Sequence, residues 1–353
     1  MLPRAPPEQD GRVKRMLVTL MVTVALLTVG AGPAHAAVSS AVSGARVLEM
    51  LPGTTGGYAS AVNASGVVIG EEYGADGHRI PVRWVDGRAT ALELPDHYHG
   101  DVAGINSAGL IVGNIIPYRN PGGTQQAVSW GPDGRMTRLA PGRGDARVNA
   151  VNDRGDIVGT AYPDGQQAAV QFAGGTVVSL LSRPNATVGV CIANRPPTEL
   201  LAGLLYTESQ QPTTTAFVYG PDGAFTTLPG QGFLRMAGIS ADGTTIAGMA
   251  DGGFPITSHP VLWQYDIDVD SQRMMWHLWD LGTVFGYVFQ PGRISPNGHA
   301  LAGVIDASTP TAAVWRDSTY YLLPTGQIAN DINDAGLAVG MDNKRRPVTW
   351  TVG

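Results

Sequence analysis

The chain has 353 residues, with 23 basic against 29 acidic side chains, a single Cys, 47 Gly and 25 Pro. Gly and Pro cost roughly 1 and 3 kcal/mol in helix interiors, so their abundance excludes a helical bundle, while a hydrophobic content of 43% is too high for a disordered chain. The net charge of -6 argues against a nucleic-acid binder, which needs clustered Lys and Arg to neutralise phosphates, and leaves a turn-rich, all-β fold.

The first element in chain order is a targeting segment. Arg4, Arg12, Lys14 and Arg15 precede the apolar run Met16–Val29, which is followed by Gly30, Gly32, Pro33 and Ala34-His35-Ala36. A basic region, an apolar stretch and an A-x-A-like site describe a secretory signal peptide, with cleavage expected after Ala36. The run is shorter than the roughly 20 residues needed to cross a bilayer. The sequence therefore predicts a signal peptide over 1–36, a short linker over 37–45 and one secreted domain over 46–353, with no stable membrane span after cleavage. The lone Cys191 cannot form an intramolecular disulfide, and within the apolar segment Val188–Ala193 it reads as a buried small hydrophobe.

A repeat then runs to the end of the chain. Val62-Asn63-Ala64-Ser65-Gly66-Val67-Val68-Ile69-Gly70 returns as Ile105-Asn106-Ser107-Ala108-Gly109-Leu110-Ile111-Val112-Gly113, again as Val151–Gly159, and late as Ile332–Gly340. Weaker copies end at Gly203, Gly248 and Gly303, so the terminal glycines are spaced 43, 46, 44, 45, 55 and 37 residues apart. Each copy continues with one aromatic, namely Trp84, Trp130, Phe172, Tyr219, Trp263, Trp315 and Trp350, then a turn such as Asp86-Gly87 or Gly131-Pro132-Asp133-Gly134, then a short strand ending in Leu. Asp-Gly pairs of this kind favour tight hairpins. Each unit thus carries four strands, A to D, with A and B joined at Asn-x-x-Gly and C and D at the Gly-rich turn.

Four short strands in about 45 residues is the period of a propeller blade. The last repeat stops after its third strand, at Thr349-Trp350-Thr351-Val352-Gly353, and Arg46–Pro52 has the ending of a D strand. The expectation is a seven-bladed β-propeller of four-stranded antiparallel blades, closed by an N-terminal strand completing the last blade. The per-blade aromatic would fill the wedge between adjacent sheets, and the Asn would bond its own turn backbone.

The repeated I/V-N-x-x-G-x-I/V-V-G, followed by an apolar-x-x-Trp strand, resembles the bacterial HAF-type extracellular repeat. The resemblance covers nearly all of 46–353, although the family's His-Ala-Phe strand start stands here as Pro81-Val82-Arg83, Ala127-Val128-Ser129 and Ala216-Phe217-Val218, and the fifth and sixth repeats carry Ser240 and Ser295 in place of Asn. It implies a secreted propeller and supplies no catalytic motif.

The strand order places the B-to-C loops and D-to-A connections on one face, the better candidate for binding. Four residues before the central Val or Ile of each A strand stand Tyr58, Asp101, Arg147, Val188, Arg235, Gln290 and Ile328, a ring expected around the channel mouth. One position before that Val or Ile, the last two blades add Arg293 and Asp331. Asp101 beside Arg147 and Arg293 beside Asp331 read either as inter-blade ion pairs or as recognition of a polar ligand.

Other motifs offer narrower chemistry. His97 and His99, with flanking Asp96 and Asp101, have donors suited to a transition metal. Asp266, Asp268 and Asp270 open like a calcium loop, but Ser271 replaces the required Gly and His277 stands where the closing Glu belongs. They lie in the insertion that stretches one interval to 55 residues, expected as an extended C-to-D hairpin. Its Met274, Met275, Trp276 and Trp279 make it the candidate partner-binding element. Arg143-Gly144-Asp145 matches an adhesion string, and Asn63 and Asn185 open glycosylation triplets.

No nucleophile elbow, zinc-protease motif, phosphate loop or dinucleotide fingerprint occurs. The reading is a non-enzymatic binding or scaffold propeller, a monomer without cofactors, recognising an extracellular protein or polysaccharide through its loop-rich face. The alternative is a glycan hydrolase or lyase assembling Glu71, Glu72, Asp101 or Glu208 at the mouth.

Overall fold

Every copy of the repeat forms one antiparallel sheet, and where the turn motifs are described they reverse the chain within a few residues. In the computed structural model of the chain the described residues are 42–353 apart from 119–122, 143, 163–167, 180–185, 194–200, 208–212, 221–223, 231, 252–257 and 285. The expected signal peptide, Arg143, Asn185, Glu208 and the side chain of Cys191 lie outside them. All described residues belong to one compact unit, Pro33–Gly353. Among them the strands form seven sheets arranged as a seven-bladed propeller, and there is no helix long and apolar enough to cross a membrane.

The A strands are innermost and surround a channel. They are Thr54–Val62, Tyr98–Ile105, Ala146–Val151, Ala186–Ile192, Phe233–Ile239, Tyr287–Ile294 and Gly326–Ile332, in blades 1 to 7. Six blades have four strands; blade 6 gains a fifth, Thr283–Val284, beside its A strand. Arg46–Val47 pairs with the last strand, Pro347–Thr351, through Arg46↔Thr349 and Val47↔Val348, so the N-terminal strand completes blade 7 as the sequence predicts.

The repeat's residues have distinct mechanical tasks. Gly66, with φ +80°, sits in the left-handed region that the A-to-B turn requires. The terminal glycine answers a different demand. Each A strand carries a bulge opposite it, between Ala59 and Ala61 in blade 1 and between Val102 and Gly104 in blade 2. A Cβ on Gly113 would lie 2.0 Å from the Asp101 carbonyl oxygen and 2.9 Å from the Trp130 ring, so no larger residue fits.

The tryptophans tie blades together by packing and by polarity. Trp84, Trp130, Trp263 and Trp350 are fully buried. Each indole N–H donates to a carbonyl at the end of the preceding blade: Trp84 to Glu49 and Trp130 to Glu93, both at 2.7 Å, Trp263 to Pro229 at 2.9 Å, and Trp350 to Pro324 at 3.0 Å. Blade 6 departs from the expected pattern. Trp315 is only partly buried, and the wedge is filled instead by Phe289 and Tyr320, whose rings meet edge-on at 5.1 Å.

The repeat asparagines do more than brace their own turns. The Asn63 Oδ1 accepts from the Val67 N–H at 3.0 Å within the turn, while its Nδ2 donates to the backbone carbonyl of Asn106 in the next blade at 3.1 Å. Asn106 does the same to Asn152 at 3.0 Å, and Asn152 to Ala193 at 3.3 Å. Where Ser replaces Asn, a backbone bond takes over between blades 5 and 6, from the Ala241 N–H to the Pro296 carbonyl. The buried Asn63 is therefore part of an inter-blade belt, which removes it as a glycosylation acceptor.

Candidate functional site

The A strands line a channel of about 1380 Å³, roughly above the 300–1,000 Å³ typical of small-molecule pockets. Its chemistry gathers at blades 1 to 3, on the face of the B-to-C and D-to-A connections. There the residue just after the terminal glycine is polar, being Glu71, Asn114 and Thr160, and each pairs in register with a predicted mouth residue, Tyr58, Asp101 and Arg147. In blades 5 to 7 the same position is Met249, Val304 and Met341.

Glu71 is buried at the centre of this group. Its Oε2 accepts from the Tyr58 hydroxyl at 2.8 Å, and its Oε1 accepts from the Val102 N–H at 3.3 Å. Burial pushes its carboxyl up to about 7, with the Asp101 charge adding to the effect against the opposing pull of Tyr58 and Arg79. Burial and the neighbouring Glu71 also raise Tyr58, which stays a hydroxyl donor. Arg79, at the start of the third strand of blade 1, lies 3.8 Å from Glu71 and 3.9 Å from Asp101. Asp101 further accepts from the Asn114 amide at 2.9 Å. The cluster thus alternates hydroxyl, carboxyl, guanidinium and carboxylate along one rim.

Aromatic rings flank it. Tyr73 lies 6.3 Å from Tyr58, and Tyr118 meets His99 edge-on at 4.5 Å. Tyr162 also lines the channel and is exposed. Arg79, Tyr73 and Tyr118 were not singled out in the sequence, because they belong to neither repeat landmark.

The predicted ring is only partly realised. Tyr58, Asp101, Arg147 and Arg235 line the channel, whereas Gln290 is turned along its own sheet, where its Nε2 donates to Asp306 at 3.0 Å. Asp101 is met by Arg79 from the preceding blade rather than by Arg147, and Arg293 acts on Asp331 through its charge without coming within 4.0 Å. Asp331 is a buried strut: its Oδ2 accepts from the Val62 N–H of blade 1 at 3.0 Å and its Oδ1 from the Ile332 N–H at 2.9 Å. Burial raises its carboxyl to about 6. Arg293 crosses the channel from blade 6 and donates to the Ala103 carbonyl in blade 2.

The metal readings find no supporting geometry. Among the described residues no three His, Cys, Asp or Glu side chains converge. His97 is an exposed turn residue, while the His99 Nδ1 is occupied by the Arg79 N–H at 2.9 Å. Asp268 accepts from the Ser271 N–H at 2.7 Å, Asp266 caps Ile267 at 2.6 Å, and Asp270 is exposed. The insertion does form the expected hairpin, Ser258–Ile267 against Met274–Asp280. Met274, Met275 and Trp279 are exposed on it, and Trp276 packs partly against Tyr265 at 5.3 Å.

No family model matches the chain, and no curated protein matches it. Among solved structures it is similar to the β-propeller domain of Cps50 (Swd1) from Myceliophteria thermophila, at 11% identity over 88% of this chain and 100% of that one, with a TM-score of 0.54. It is similar to the β-propeller domain of the Trilobed protease from Pyrococcus furiosus, at 10% identity over 84% and 95%, with a TM-score of 0.54. It also resembles an acylaminoacyl peptidase from Pyrococcus horikoshii, at 9% identity, a TM-score of 0.55, and coverage of 85% of this chain but 52% of the peptidase. Likeness at these identities shows the fold alone. The Pyrococcus furiosus propeller is described by an open velcro topology, whereas here Arg46–Val47 closes the ring.

Proposed function

We propose that the protein is a secreted, non-enzymatic propeller that binds a hydroxyl-rich extracellular polymer, a polysaccharide chain, at the channel mouth formed by blades 1 to 3. The observation that carries this reading is the convergence of Tyr58, Glu71, Arg79 and Asp101 on one rim. Closely spaced donors and acceptors suit vicinal hydroxyls, and Tyr58, Tyr73 and the exposed Tyr162 add aromatic faces. The basic, apolar and A-x-A-like N-terminal sequence supports export. Retention of the protein on immobilised polysaccharides tests the reading. Asp101→Asn and Tyr58→Phe should weaken retention about tenfold without releasing product; retention unchanged in both would refute it.

One observation favours cleavage as a second reading. Glu71 holds its proton up to about 7 beside Asp101, and two carboxyls with separated proton affinities can divide acid and base roles in glycan cleavage. Product release that Glu71→Gln abolishes would replace the first reading with this one.

A further inference from the structure

We infer that the ligand of this channel carries anionic groups, carboxylate or sulfate, and that Arg147, Arg235 and Arg293 receive them. The inference rests on the polysaccharide-binding reading and adds the charge of the ligand. Four arginines line the described channel, and three of them differ from Arg79 in one respect. Arg79 lies beside two carboxylates, whereas no described carboxylate comes within 4.0 Å of the other three.

Their bonds are to neutral acceptors. Arg235 of blade 5 donates to the Pro291 carbonyl of blade 6, and Arg293 of blade 6 donates across the channel to the Ala103 carbonyl of blade 2. Arg147 of blade 3 is exposed, and its guanidinium bonds to no described residue. A carbonyl satisfies one N–H of a guanidinium but leaves most of its five donors open, and of the three only Arg293 acts on a described carboxylate, the buried Asp331. Desolvation beside the channel wall lowers Arg235, although the residue keeps an exposed surface.

Apart from Glu71 and Asp101 of the rim, the carboxylates that share the channel each accept from a backbone N–H. Asp145 accepts from the Gln125 N–H at 2.8 Å, Asp153 from the Ser107 N–H at 2.7 Å, and Asp334 from the Asn297 N–H at 2.9 Å. Asp331 is held by the Val62 and Ile332 amides. Those four carboxylates brace the ring's own backbone, while Arg147, Arg235 and Arg293 line the channel with donors to spare. Guanidinium forks match carboxylate and sulfate oxygens two at a time.

Isothermal titration with hexagalacturonate, its full methyl ester, inorganic sulfate and a hexaglutamate peptide tests the inference on the intact secreted chain. The acid should bind, about tenfold more tightly than the ester, with sulfate competing and salt weakening it. Arg147→Gln and Arg235→Gln, with Tm unchanged, should each remove most of that preference. Equal binding of acid and ester would overturn the inference and leave polysaccharide binding at the mouth standing. Binding of hexaglutamate without hexagalacturonate would overturn the saccharide as the source of the anion. Failure of the acid and of sulfate to bind, while neutral oligosaccharides do, would also overturn it; failure of every saccharide would remove both readings.

Discussion

The side-chain amide of Asn333 in blade 7 donates to the backbone carbonyl of Asn63 in blade 1 at 3.0 Å. The same bond joins blades 1 and 2 and blades 2 and 3, so the seam between the two ends of the chain is held by the belt that holds the interior. Asn333→Ala leaves a buried carbonyl without its donor and should cost about 1–3 kcal/mol. Denaturant titration of Asn333→Ala against Asn106→Ala measures this, and equal losses are expected because both bonds are buried. A neutral Asn333→Ala would mean that the belt does not close the ring.

Trp84→Ala should cost about 3–5 kcal/mol, from the lost burial and the cavity it leaves, in addition to freeing the Glu49 carbonyl. Trp315→Ala should cost distinctly less, since that ring is partly exposed and Phe289 and Tyr320 fill its wedge. Calorimetric unfolding of the two variants checks the order, which a larger loss for Trp315→Ala would reverse.

Gly113→Ala should prevent soluble folding or cost about 3 kcal/mol or more, because the new methyl group meets backbone on one side and an indole on the other. Gly44→Ala, with nothing within 4 Å, is the matched control and should be neutral. Comparable Tm values for the two would contradict the bulge account.

Stability should fall as pH rises from about 5 to 7. Glu71 binds its proton more tightly in the fold, up to about 7, than in the unfolded chain, where a carboxyl titrates near 4.5. Its contribution is complete below the unfolded value and is lost as the folded group ionises. Asp331, raised to about 6, acts with the same sign. Glu71→Gln should flatten the profile by about 1–3 kcal/mol over that window; an unchanged profile would place the proton elsewhere.

Trp279→Ser and Met274→Ser should change stability by no more than about 0.5 kcal/mol, because both side chains stand exposed on the outer strand of blade 5. A loss of several kcal/mol in chemical denaturation would return this hairpin to the core.

The blades were legible because Asn-x-x-Gly or its Ser variant, the terminal glycine and the aromatic recur in a fixed order, and each of those residues answers a local backbone or packing demand. The inter-blade bonds were not, since the Asn63 amide reaches a carbonyl 43 residues away whose position exists only once the ring has closed. For the site, one signal was present but unread: the residue after the terminal glycine is polar only in the early blades, at Glu71, Asn114 and Thr160. Gln290 and Asp331 matched the ring by position, yet one is drawn to Asp306 and the other to the Val62 amide. Spacing assigns a face of the sheet; the hydrogen-bond partner decides where the side chain goes.

The most direct test is a crystal structure of the protein with hexagalacturonate bound. The oligosaccharide should lie in the channel, with hydroxyls against Tyr58 and Asp101 and a carboxylate on Arg147 or Arg235. Saccharide seated on the Met274–Asp280 hairpin, with the channel lined only by solvent, would contradict binding in the channel.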